Sequence, residues 1–275
     1  MRKTPILLAL CSLLCTSPLY ASFEHTPVDP RGLAMAGAMT AVTGNAFGIF
    51  YNPASATPEA GTEASISCTV PYGDPDMKSV TGGFCIRRLP FDNKGSLSAG
   101  VNRYGTTGYH EQTVVAGYSR AVTSSIRAGF SVSGMSLGIK GINDEASTGI
   151  NVGLQAELKP GLIFGISSMN LNAPKIGEFR SPLPRTTLTG ISCRIKTGSI
   201  LTVNAETDPD RTGRLLAAGD FPVSGNIHVM IGMATNPSLI SAGAEFGTGA
   251  LRATIAVSRN IDLGTTSSCG IAVEL

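Results

Sequence analysis

The sequence predicts an all-β protein: a transmembrane antiparallel β-barrel of about fourteen strands with an N-terminal plug segment. Three observations predict it. From about residue 62 apolar and polar side chains alternate with a two-residue period, in runs near the roughly 9–11 residues that cross a bilayer at a tilt. Charged residues make up only 15% of the chain while Gly reaches 33 of 275, whereas a water-soluble domain solvates its surface with about a quarter of its residues charged. No later stretch approaches about 18 uninterrupted apolar residues, so helical spans are excluded.

Residues 1–21 read as a Sec signal peptide, with Arg2 and Lys3 as the positive region, Ile6 to Cys15 as the apolar region and Ser17 to Ala21 as the cleavage region. The apolar run is shorter than the about 20 residues a membrane helix needs. Cys11 and Cys15 each follow Leu, where a lipoprotein site wants a small residue, so lipidation is not expected. Of the 21 Lys/Arg, Arg2 and Lys3 leave with the leader, and the remainder balances the 19 Asp/Glu. A balanced chain without basic clusters carries no footprint for nucleic acid. The expected location is the outer membrane of a Gram-negative bacterium.

Residues 22–60 differ from everything after them and are expected to form the plug. Asp29-Pro30 has the form of a helix start, Asp as cap and Pro in the first turn. Leu33 to Val42 is rich in Ala and Met and suits a short helix, which Gly44-Asn45 breaks. Asn52-Pro53 signals a turn. Irregular and rich in small residues, the segment makes a poor membrane strand. Inside a barrel its backbone groups find partners that lipid cannot supply.

The barrel is expected over 61–275. Its strands fall at 62–71, 79–88, 95–104, 111–121, 125–140, 147–158 and 161–171. They continue at 185–196, 198–207, 212–222, 224–234, 237–247, 250–259 and 266–275. Ile126, Ala128, Phe130 and Val132 share one face of their strand, and Arg127, Gly129, Ser131 and Ser133 the other. Leu251, Ala253, Ile255 and Val257 oppose Arg252, Thr254, Ala256 and Ser258 in the same way. Such a split fits a lipid-facing barrel or a half-buried sandwich. Near-constant strand length, tight connections such as Lys159-Pro160 and Thr197-Gly198, and a final alternating strand favour the barrel. Leu275 stands where the terminal assembly signal of such barrels has an aromatic. With no Trp, six Tyr and ten Phe, an interfacial girdle is sparse, drawn from Tyr72, Phe91, Tyr104, Tyr109, Phe179 and Phe221 near strand ends. The longest connection, Asn172 to Pro184, is expected on the outer side.

Of the four cysteines beyond the leader, Cys68 and Cys85 lie on neighbouring strands, where a bridge or two small apolar side chains are the alternatives. The Asp-Pro-Asp turns at 74–76 and 208–210 lack the ligand spacing of a calcium loop and read as solvated turns. His25, His110 and His228 are isolated, and no metal-ligand, nucleophile-elbow or phosphate-loop motif occurs. The expectation is a non-enzyme without cofactor or metal.

The run Pro30 to Ala54, PRGLAMAGAMTAVTGNAFGIFYNPA, resembles the N-terminal segment of the outer-membrane transport barrels of the long-chain fatty-acid transporter family. It is similar also to related barrels of the type IX secretion apparatus, where an R-G-x-G-M-G-G-A-x-T-A-V…Y-N-P-A pattern recurs. The resemblance implies that Arg31, Gly37, Ala38, Thr40, Phe47, Asn52, Pro53 and Ala54 build a lumenal plug. Phe47, Phe50 and Tyr51 offer apolar surface either to a greasy ligand or to the barrel wall. The implied function is passive transport of hydrophobic small molecules, of fatty-acid or hydrocarbon class, past the plug, with outer-membrane lipid around it. The alternatives are a non-conducting barrel that docks or shuttles secreted or secretion-apparatus proteins, and a soluble exported sandwich.

Overall fold

The computed structural model describes residues 22–56, 61–209 and 211–275, and the expected leader lies outside them. Fourteen antiparallel strands close into a barrel. The first seven are β1 (Gly61–Val70), β2 (Ser79–Leu89), β3 (Asp92–Gly105), β4 (Tyr109–Ala121), β5 (Ile126–Ile139), β6 (Glu145–Lys159) and β7 (Leu162–Ser168). A two-stranded hairpin follows, β8 (Lys175–Ile176) with β9 (Ser181–Pro182). The ring resumes with β10 (Thr187–Arg194), β11 (Ile200–Asp208), β12 (Arg211–Ser224) and β13 (Ile227–Ala234). It ends with β14 (Leu239–Thr248), β15 (Leu251–Asn260) and β16 (Gly264–Glu274), and β16 pairs with β1. Every barrel strand matches a sequence-predicted one to within three residues at either end.

The polarity of this barrel is inverted relative to a water-soluble sandwich. On the outer face Ile66, Leu215, Met233 and Ile240 are each more than half exposed, at 58%, 61%, 60% and 66%. On the inner face Glu63, Thr81, Ser131 and Gln155 are completely buried. Apolar groups in contact with the surroundings and polar groups within are what lipid outside requires. The sparse girdle is thinner than expected, because Tyr109 points inward, its hydroxyl bonded to Glu111.

The interior is filled by residues 29–56. Asp29 caps α1 (Pro30–Ala34), accepting from the Gly32 N–H at 3.2 Å. The helix ends at Ala34, well short of the expected Val42, and Ala36 and Gly37 turn the chain at positive φ. The reason lies in the wall. Ser241 donates to the Ala34 carbonyl at 2.8 Å, Thr202 to that of Ala38 at 3.2 Å and Ser192 to that of Ala41 at 2.7 Å. Carbonyls satisfied by the barrel have no need of helical N–H partners. Two 3-10 turns follow, at Ala46–Phe50 and Pro53–Ser55.

Call the barrel end carrying Gly61 and Leu275 the lower end, and that carrying residues 169–186 the upper end. Residues 22–28 extend upward from α1, where the Phe23 N–H donates to Glu111 at 2.7 Å. The long connection is not a simple solvated loop. Its β8–β9 hairpin buries Ile176 and Leu183 against Met135, beside Leu137 and Phe23. Cys68 and Cys85 do sit on paired strands, but Cys68 faces Val80 and Cys85 faces Glu63. Five residues apart along the ladder and on opposite faces, they cannot be bridged.

Candidate functional site

The residues expected in the plug all lie within the inner segment, and most are fixed there rather than open. Tyr51 is 1% exposed and donates its hydroxyl to Asp29 at 2.5 Å while accepting from the Val28 N–H at 3.1 Å. Burial raises the Asp29 carboxyl above its ordinary value, against the lowering effect of the Tyr51 hydroxyl, the Gly32 N–H and Arg31. Asn52 is completely buried. Its oxygen caps the second turn, accepting from the Ala54 N–H at 2.9 Å, and its amide donates to the Thr40 carbonyl at 2.8 Å. The same carbonyl accepts from Gln155 at 2.9 Å. The Thr40 hydroxyl meets Asn204 at 2.8 Å.

Aromatic surface is mostly used up in packing. Phe47 and Tyr51 join Leu33, Met35 and Met230 in one buried cluster. Phe50 is half-buried against Gly100, where an added Cβ would lie 2.4 Å from its ring. Pro53 presses its backbone on Gly129, where a Cβ would lie 2.3 Å away. Gly37 allows the left-handed turn beside Leu216. Arg31 ion-pairs closely with Asp220 and lies 3.5 Å from Glu245, and Asp220 also meets His228 at 2.8 Å.

Sequence reasoning missed the wall's half of this arrangement. Glu63 accepts from the Ala46 N–H at 2.8 Å and from Arg252 at 2.6 Å, and Arg87 ties it to Glu274. Of these, Glu63 and Arg252 join Asp29, Arg31, Asn45, Arg194 and Glu245 in lining a polar cavity of about 260 Å³ on the lower side of the segment. The signal that could have found them was the alternation itself: a charged residue on the polar face of a strand points into the lumen. Among the described residues no group of side chains is arranged to hold a metal ion. The Asp74 carboxylate closes its own turn, accepting from the Asp76 N–H at 2.9 Å, while Asp210 of the second such turn lies outside the described residues.

This architecture has solved counterparts. The chain is similar to the toluene transporter TbuX of Ralstonia pickettii, with a TM-score of 0.63 and 12% identity over 92% of this chain and 98% of that one. It is similar to a FadL homologue of Pseudomonas aeruginosa, with a TM-score of 0.63 and 11% identity over 90% and 97%. The toluene transporter TodX of P. putida gives a TM-score of 0.60 and 12% identity over 91% and 97%. The fold is shared with these barrels. No family model matches the sequence, and no curated protein matches it.

Within that fold two sectors of wall have opposite chemistry. On β5–β7 the inner face is polar: Asn151 bonds Ser131 and Ser133, Gln155 bonds Thr40, and Ser167 donates to the Tyr51 carbonyl at 2.8 Å. On β12–β13 the inner face is largely apolar, with Leu216, Ala218, Met230 and Ala234 against Met35, Ala36 and Ala38. An apolar groove of about 490 Å³ runs over the outer face from β10 to β13, lined by Ile191, Leu201, Val203, Ala217, Phe221 and Met233. Ala217, Ala218, Gly219 and Gly232 keep the wall beneath it thin.

Proposed function

We propose that the protein is an outer-membrane barrel for passive passage of hydrophobic small molecules, of fatty-acid or hydrocarbon class, with residues 22–60 as its plug. The observation that carries this reading is the wall at β12–β13 above Asp220 and His228, where both faces are apolar and small residues thin it. A greasy solute moving down the lumen would have to enter the charged lower cavity, where it displaces water from Arg31, Glu63, Arg252 and Glu245. Sideways movement through the apolar sector avoids that cost and delivers the solute to lipid. Upward displacement of the whole plug is disfavoured, since each wall-to-segment hydrogen bond lost to a dry site costs about 1 kcal/mol or more. The apolar cluster of Phe23, Met135, Leu137, Ile176 and Leu183 at the upper mouth suits first contact with the solute.

The resemblance of residues 30–54 and the fold shared with toluene transporters support the same reading. No observation favours protein docking over transport. The test is uptake of labelled toluene and of a labelled fatty acid by cells with and without the gene. Uptake is expected to fall on deletion, and to fall several-fold in Ala217→Phe, whose ring fills the groove without touching the segment. Unchanged uptake in the deletion strain, with a secreted protein co-purifying instead, would overturn the proposal.

A further inference from the structure

The seam where the ring closes holds two cysteines face to face. In the β1–β16 register Cys68 lies directly opposite Cys269. Both point to the lipid side, since Ser67 and Ser268, their neighbours in sequence, are buried on the inner face. Leu275 donates to the Thr62 carbonyl at 2.7 Å, which makes that opposed pair a hydrogen-bonded one. Every second pair is then of the same kind, including Cys68 with Cys269.

Hydrogen-bonded antiparallel pairs have a Cα separation of about 5.5 Å, within the disulfide range of about 4.4–6.8 Å. Their Cβ atoms stand about 5.5 Å apart and a disulfide draws them to about 3.8 Å, so the strands must close by about 1.7 Å. Cys85 and Cys193 have no such partner: Cys85 faces Glu63 and Ser98, and Cys193 faces Leu162 and Leu201.

We propose that Cys68 and Cys269 form a disulfide that covalently clasps the first strand of the barrel to the last. The two thiols give up their protons and pass two electrons to the disulfide of a periplasmic thiol oxidase, which leaves as a dithiol. The bond belongs to the exported chain and does not depend on what the barrel carries. The strand closure it requires strains it, so it is reduced more readily than a relaxed disulfide.

The test uses full-length protein from membranes lysed in the presence of a thiol-blocking maleimide. Peptide mapping is expected to show one linked pair, Cys68 with Cys269, with Cys85 and Cys193 alkylated only once the chain is unfolded. After boiling without reductant the chain should migrate faster than after boiling with it, because a loop of about 200 residues stays closed. Cys68→Ser and Cys269→Ser should each abolish that difference while retaining the heat-modifiable folded band. A linkage between any other cysteines, or four free thiols in the isolated protein, overturns the proposal. So does failure of the detergent-folded barrel to link these two residues under diamide, a result that bears on the seam alone and leaves the transport reading standing.

Discussion

The β5–β7 and β12–β13 sectors enclose the same segment with opposite means. On the first, glycines let the segment's backbone touch the wall, Gln155 and Ser167 donate to its carbonyls, and Asn151 ties Ser131 to Ser133 within the wall. On the second, Leu216, Met230 and Ala234 meet methyl and methylene groups, and the main polar tie is Asp220 to Arg31 near the lower end. The difference teaches where the structure is fastened and where it can yield. Hydrogen bonds buried from water are directional and costly to leave unmade, while apolar contacts can be exchanged for those of a hydrophobic guest.

The largest expected effect comes from breaking the fastened side. Gly129→Val would place a Cβ 2.3 Å from the Pro53 backbone, which forces the segment off the wall. A loss of at least about 3 kcal/mol is expected, read as earlier disappearance of the folded band on heating, with a rise in ion conductance across a planar bilayer. Arg31→Ala comes next. It removes the polar tie of the yielding side and leaves Asp220 buried with His228 alone, at a cost of about 2–3 kcal/mol once the partial exposure of Arg31 is allowed for. Denaturant titration in detergent measures it, and Arg31→Lys should recover only part of the loss.

Met230→Ala opens a cavity in the apolar sector. It should cost about 2 kcal/mol and, if that sector admits solute, leave hydrocarbon uptake equal or faster. A slower rate would remove the distinction between the sectors. The smallest effect is a pH dependence. Asp29 has a carboxyl raised above 3.8 by burial, so the folded chain holds its proton more tightly than the unfolded one. Stability from this group therefore increases as pH falls through the folded value and is complete below about 3.8. The stability of the native protein relative to Asp29→Asn should rise between pH 7 and pH 4; a fall would contradict the assignment.

The barrel was legible because lipid enforces a two-residue code, and stretches such as 126–133 and 251–258 obey it residue by residue. The Asn52-Pro53 turn and the Asp29 cap were legible for local reasons, each being a side chain bonded to its own neighbours. The helix expected over 33–42 failed because the acceptors that end it are satisfied by Ser241, Thr202 and Ser192, up to 207 positions away. No local propensity reports such partners. The site residues showed the same limit. Phe47 and Tyr51 look like ligand surface in a linear reading, and only the closed ring reveals that they are buried in one cluster with Leu33, Met35 and Met230.

The inner segment also sets a chronology. It precedes β1 in the chain, yet Ser241 of β14 and Gly270 of β16 contact it in the finished molecule. The carbonyls of residues 34–41 are therefore satisfied only once strands made much later are in place. Separations this long make for slow maturation, and a chaperone that shields residues 29–56 in transit would shorten the wait.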